Sequence, residues 1–248
     1  MKVSVLTVWY NEQDMAPFFL DNYSWADEII VLLDDASTDM SREVALARPN
    51  VRIERCATPG GLIDDGYLVD LKSDWAHKID ADWIISVDAD ELIIPPDDDD
   101  YRRVLAGCNG NLIYLHLWQI WRNEMNVDLD PDAIAIWQRR YGDPNRTEGE
   151  NGSYRKPVIF KPETNIVWYP GQHRYHRNPQ IKPSCCVFDG AHWSMADEGM
   201  AIRRRIAGRK KRLSANNYAN RWGYQWFDIT AKQIRTECAK HLHDPRLF

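Results

Sequence analysis

The chain has 248 residues, 44% of them hydrophobic, and a formal net charge of −6. That is enough for one large α/β domain or two small ones, and the composition is that of a globular protein, with no sign of disorder beyond short loops. The net charge hides an asymmetry: residues 1–100 carry −16 and the remainder +10, which suits a cation gathered on one side and an anion on the other, or two solvated faces of opposite sign.

No apolar run reaches transmembrane length. The opening residues lack the long apolar core and small-residue cleavage site of a signal peptide and read as a first strand. The five cysteines, Cys56, Cys108, Cys185, Cys186 and Cys238, show no Cys-x-x-Cys spacing. This speaks against zinc and fits a reducing cytoplasm. The adjacent pair Cys185–Cys186 reads as two buried small residues.

In chain order, Val3 to Val8 is a first strand and Met15 to Tyr23 a helix. Ala26 to Leu33 is a second strand, ending in Asp34-Asp35-Ala-Ser37-Thr38-Asp39. There Ser37, Thr38 or Asp39 suits the cap of a helix starting near Met40. Val51 to Glu54 is a third strand, Pro59-Gly60-Gly61 a break, and Asp64 to Lys78 a helix. Trp83 to Val87 is a short, nearly all-apolar run, as expected for a strand buried on both faces of a parallel sheet. This alternation predicts a mostly parallel sheet with helices on both faces.

The run at Trp83 ends abruptly in Asp88, Asp90 and Glu91. Ligands of open α/β sheets sit beyond the carboxyl ends of strands. Clustered carboxylates repel one another unless a cation joins them, and Mg²⁺ is commonly shared between carboxylates and substrate phosphates. Asp88 and Asp90 therefore predict a metal-diphosphate site. Asp-x-Asp recurs at 80/82, 97/99, 98/100, 128/130 and 130/132, but only the 88/90 pair directly follows a buried-strand pattern. The turn after the first strand lacks the Gly-x-Gly-x-x-Gly of a dinucleotide fold, and no P-loop occurs.

Residues 3–94 resemble family 2 glycosyltransferases of the GT-A fold. The matching pieces are Val3-Ser-Val-Leu-Thr7 running into Tyr10-Asn11-Glu12, Glu28 to Asp39, and Asp82-Trp-Ile-Ile-Ser-Val-Asp88-Ala-Asp90-Glu91. The resemblance implies transfer of a sugar, with inversion, from a nucleoside-diphosphate sugar to an acceptor hydroxyl with Mn²⁺ or Mg²⁺. It implies that Thr7, Asn11 and Glu12 border the nucleotide and that Asp35 contacts the base. Asp88 would face ribose and metal, and Asp90 would ligate the metal. Lys72-Ser73 stands where the family usually has Arg-Asn near the nucleotide. Relatives often carry a further metal-binding histidine after a later strand; His192 is the first choice and His173 the second. Relatives also place an acid pair at a helix start to supply the catalytic base. Here that points to Asp197, with Glu198, Asp189 and His173 as alternatives. Acids at a helix N-terminus are equally favoured by the macrodipole.

Residues 1–121 are thus expected to form the nucleotide-sugar-binding core and 122–248 a smaller, variable acceptor region, within one continuous domain. Asn111 to Ile120 reads as a strand. The polar stretch 122–157 reads as a lid or a disordered loop. Val158–Lys161 and Ile166–Tyr169 read as a hairpin, and Met200 to Ala219 as a helix. That helix carries Arg203, Arg204, Arg205, Arg209, Lys210, Lys211 and Arg212, followed by Tyr218, Trp222, Tyr224, Trp226 and Phe227. A basic stripe beside aromatics could clamp a diphosphate, lie on anionic lipid at the inner face of a membrane, or track nucleic-acid phosphates. Three functions stay open: a cytoplasmic transferase building a surface polysaccharide or lipid-linked glycan, a transferase acting on a modified base in DNA, and a non-catalytic nucleic-acid-binding protein.

Overall fold

The structure, a computed structural model, describes residues 1–94, 100–122 and 155–244. Eight strands form one mixed sheet: β1 (Val3–Trp9), β2 (Glu28–Asp34), β3 (Val51–Cys56), β4 (Trp83–Ser86), β5 (Glu91–Ile93), β6 (Leu112–Trp121), β7 (Arg155–Phe160) and β8 (Pro183–Met195). Their spatial order is β3-β2-β1-β4-β7-β6-β8-β5. The first four run parallel; β7 pairs antiparallel with β4 and β6, and β5 with β8. Strands from both sides of residue 121 thus share this sheet.

The period of two along each central strand separates two cores. Val3, Val5, Ile29, Val31 and Ile85 face one side, with Phe18 and Phe19 of helix α1 (Ala16–Asn22) and Ala45 of α2 (Ser41–Leu46). Leu6, Ile30, Leu32 and Ile84 face the other, with Val69 and Ala76 of α3 (Asp65–Ala76). Burial on both faces explains why these strands read as apolar runs. Asp64 caps α3 by accepting from the amides of Gly66 and Tyr67.

The chain leaves β1 toward β2 and β3, then returns to lay β4 on the opposite side of β1. The strand order therefore reverses between β1 and β4, and a crevice opens there beyond their carboxyl ends. Helix α4 (Tyr101–Gly107) packs Leu105 into the first core. After β8 come α5 (Glu198–Ile202), a wider π-type turn over Arg203–Arg209, a tight turn over Lys210–Arg212, α6 (Ala215–Asn220) and α7 (Ala231–Lys240).

Several expectations are corrected. Met200 to Ala219 is not one helix: the ladder widens at Arg203 and stops at Leu213, which bridges to Ile63. Ile166–Tyr169 forms no hairpin; Trp168 bridges to Tyr175, while Val158–Phe160 lies between β4 and β6. Cys185 is exposed and Cys186 half-buried. The N-cap of α2 is Met40, without a side-chain bond, and Asp39 reaches the Ser41 amide from one residue earlier. Residues 123–154 of the expected lid lie outside the described residues.

Candidate functional site

A cleft of about 1380 Å³ occupies the crevice. One wall is built from the ends of β1, β2 and β4, the other from residues 203–237. Asn11 turns the chain after β1 in the left-handed region (φ 51°), which Asn tolerates better than most residues. Its Oδ1 accepts from the Thr38 amide at 2.8 Å, and the Ser41 hydroxyl accepts from the Glu12 amide at 2.7 Å. The turn after β2 thereby fixes the turn after β1 and aims Glu12 into the cleft.

Asp88 and Asp90 stand at the tip of β4 and line this cleft, as expected from their position. Lys72 donates to Asp88 Oδ1 at 2.7 Å and to Gln172 at 2.7 Å. Lys156 of β7 lies 3.2 Å from Asp88 Oδ2 and 2.5 Å from Glu91. Burial alone would raise the Asp88 pKa, but Lys156 and Lys72 outweigh it and hold the carboxyl well below its usual range. Arg204 donates through Nη1 to Asp90 Oδ2 at 2.6 Å, and through Nε and Nη2 to Glu12 at 3.0 and 2.9 Å. Asp90 is lowered to about 2: burial works against ionisation, and Arg204 overcomes it. Glu12 is raised to about 7, because burial exceeds the pull of Arg204.

His192 Nε2 lies 3.7 Å from Asp90 Oδ2. Burial pushes this imidazole down to about 4, so it is neutral near pH 7, and its Nδ1 is buried without a hydrogen-bond partner. A neutral histidine beside a carboxylate is a chemically sound start for a metal site. The rest of the set does not fit Mn²⁺ or Mg²⁺. Both oxygens of Asp88 face ammonium groups, and Asp90 Oδ2 faces a guanidinium. Among the described residues no group of three His, Cys, Asp or Glu could hold a metal ion. Asp88, Asp90 and His192 therefore do not form the metal site expected of them.

Other expected residues divide by geometry. Asn11, Glu12, Lys72 and His173 line the cleft. Thr7 does not: it is fully buried inside the sheet. Asp35 points outward and pairs with Arg55 at 2.6 Å, because successive residues leaving a strand face opposite ways. Asp34 takes the inward place, accepting from Arg212 at 2.6 Å and Thr58 at 3.1 Å. Asp197 caps α5, its Oδ1 accepting from the Met200 amide at 2.6 Å, and does not line the cleft. Glu198 sits near Arg122 and Arg235, and Asp189 accepts from Trp118; neither lines the cleft. Of the four candidate bases, His173 alone does.

The basic stripe is turned largely inward. Arg203 pairs with Asp14, Arg204 with Glu12 and Asp90, Arg209 with Asp65, and Arg212 with Asp34. Arg205 donates to Ser194 at 2.7 Å and lies 4.1 Å from the Trp226 ring centre. Arg212 stacks 3.5 Å from the Tyr10 ring centre. Four of the seven cations in the stripe are thus paired with carboxylates of the cleft, and binding to nucleic acid or lipid finds no support here. No helix among the described residues is long and apolar enough to cross a membrane.

Sequence reasoning passed over Lys156 and Gln172. Lys156 stands beside Arg155 at the start of the Val158–Phe160 apolar run, and nothing local marks which of the two cations turns inward. Gln172 sits in the left-handed region (φ 57°) and joins Lys72 to the Ser86 hydroxyl; the preceding Pro170-Gly171 was its only cue.

No family model matches the chain, and no curated protein does. Solved structures are similar to it. Staphylococcus aureus TarS 1-349 in complex with UDP-GlcNAc is 14% identical, over 94% of this chain and 78% of that one, with a TM-score of 0.47. S. aureus TarS in a further crystal structure is 13% identical, over 97% of this chain and 43% of that one, with a TM-score of 0.45. Glucosyl-3-phosphoglycerate synthase from Mycobacterium tuberculosis, in complex with Mn²⁺, UDP and phosphoglyceric acid, is 18% identical over 48% of this chain and 43% of that one, with a TM-score of 0.32.

Proposed function

We propose that the chain is a nucleotide-sugar-dependent glycosyltransferase of the GT-A fold, of the family 2 type, acting with inversion on an acceptor hydroxyl of a surface polysaccharide or lipid-linked glycan. One observation carries the reading. The strand order reverses between β1 and β4, and at that point Asp88 and Asp90 open onto a cleft of about 1380 Å³. A volume above the usual few hundred to ~1,000 Å³ of a single small-molecule site leaves room for both donor and acceptor.

The donor's diphosphate belongs at the tips of β1 and β4, where Lys72, Lys156 and Arg204 converge. Tyr224 and Trp226 line the opposite wall, and aromatic faces suit the C–H faces of a sugar ring. In a single displacement, the acceptor oxygen bonds to the anomeric carbon as the bond to the diphosphate oxygen breaks. The bonding pair leaves with the nucleoside diphosphate, and the acceptor's proton passes to a general base. His173 is the group offered for it.

The test is a thermal-shift panel of UDP-, GDP-, ADP-, CDP- and TDP-sugars, followed by assay of nucleoside diphosphate release. Stabilisation by one donor class with slow donor hydrolysis is expected. A chain that no nucleotide sugar stabilises, and that releases no diphosphate, would sink the reading.

A further inference from the structure

We propose that Arg204 stands in for a divalent cation: the donor diphosphate is held by fixed guanidinium and ammonium groups, and its binding needs no metal. This rests on the donor-binding reading above and deepens it.

The Arg204 guanidinium bridges Glu12 and Asp90 and supplies the positive charge that these two carboxylates would otherwise take from an ion. Three of its donors engage the two carboxylates. A guanidinium carries five N–H groups, so about two are left for the cleft, which Arg204 lines. Lys72 and Lys156 each engage two partners. An ammonium has three donors, so about one remains on each. Both lysine side chains are almost fully buried, at 5% and 6% exposure, and cannot swing away.

A divalent ion bound to Asp88 at the usual ~2.1 Å would stand within about 5 Å of a buried ammonium. That repulsion opposes a metal, while the same groups favour phosphate oxygens: arginine and lysine supply charge-assisted bonds to phosphate, and arginine can do so in pairs. The positive charge that a departing diphosphate needs is therefore built into the chain. Arg204 lies on the wider turn at Arg203–Arg209. Single wide turns of this type are rare inside helices and recur at functional sites.

The experiment is calorimetric titration of the full chain with UDP, GDP, ADP and CDP, in excess EDTA and again in excess Mn²⁺. The expected result is that the best-bound nucleotide has affinities within about threefold in the two conditions, a difference under ~1 kcal/mol. Arg204→Ala should lose about tenfold or more in EDTA, and Mn²⁺ should restore part of the loss, because Glu12 and Asp90 are then two uncompensated carboxylates that a cation can share with the diphosphate. Binding by the unmodified chain only in Mn²⁺ overturns this proposal and leaves the transferase reading standing. Absence of binding by all four nucleotides in both conditions removes both. The comparison on the unmodified chain decides the matter even if the variant misfolds.

Discussion

One wall of the cleft is carried by strand ends and the other by short helical pieces. On the β1–β4 wall, Glu12, Asp34, Asp88 and Asp90 follow strands whose positions are set by ladder bonds and by cores on both faces. On the other wall, Arg204, Arg209 and Arg212 sit on a wide turn and a tight turn, behind which lies a cluster of only five buried residues, Trp121, Met195, Ala201, Ile234 and Cys238. The acids are therefore placed by the backbone, whereas the arginines are held in place largely by the acids they meet. The first wall should stand without the second; the second should loosen without the first.

The largest effect should come from the one strand-borne cation on the acidic wall. Lys156→Met leaves Glu91, at 2% exposure, and Asp88 without their shared ammonium. Removing one partner of a buried pair costs about 3–5 kcal/mol. The urea midpoint should fall accordingly, and an unchanged midpoint would show that the strand-borne wall does not depend on its internal charge balance.

Arg212→Ala tests the opposite wall. It removes the bond to buried Asp34, the bond to the Gly61 carbonyl at 2.8 Å and the stack on Tyr10. A smaller loss of about 3 kcal/mol is expected, at the lower end of the buried-pair range, because Thr58 still donates to Asp34. Amide exchange should quicken over 203–213 while β1 and β4 keep their protection. Equal loosening of both walls would erase the contrast between them.

A third, milder effect concerns pH. Glu12 keeps its proton up to about 7, well above its ordinary 4.5. An acid raised in the folded state binds a proton that the unfolded chain has released, so its contribution to stability falls as pH rises from about 4.5 through 7. The same protonation frees Arg204 from one carboxylate and removes a negative charge beside the donor site. Nucleotide-sugar affinity should therefore rise severalfold from pH 8 to pH 6, where the esterified diphosphate itself does not titrate. Glu12→Gln should flatten that profile, and a steep profile in the variant would assign the effect elsewhere. Asp88 and Asp90 have the opposite sign. Their lowered carboxyls stabilise the fold above the ordinary 3.8, and that stability is lost as pH falls toward about 2 for Asp90.

What could be read from the sequence follows the same division. The parallel strands and the place of Asp88 and Asp90 were legible, because a doubly buried strand shows as an apolar run and its end as an abrupt change to acids. The motif marks the turn at Asp34-Asp35 without stating which of the two neighbouring residues faces in. The helix expected over Met200–Ala219 failed because its residues have ordinary helix propensity, and pairing across the cleft decided where the ladder widened. Lys156 and Arg204 were readable as charges but not as partners of particular acids. Partners 68 and 114 residues away leave no local pattern.

The smallest expected effect separates a cap from a base. Asp197 meets every local criterion for an acid at a helix start, and its Oδ1 does accept from the Met200 amide. Asp197→Ala should cost about 1 kcal/mol, the ordinary value of an N-cap, and should leave kcat and the nucleotide Kd unchanged, since the residue does not line the cleft. Asp197→Asn, which keeps the cap, should recover the stability. His173→Ala should do the reverse, lowering kcat with little change in the urea midpoint, because its side chain lies on the cleft surface. A large kcat loss in Asp197→Asn, with stability intact, would return the catalytic role to Asp197 and require the helical wall to close further over β4 than it does here.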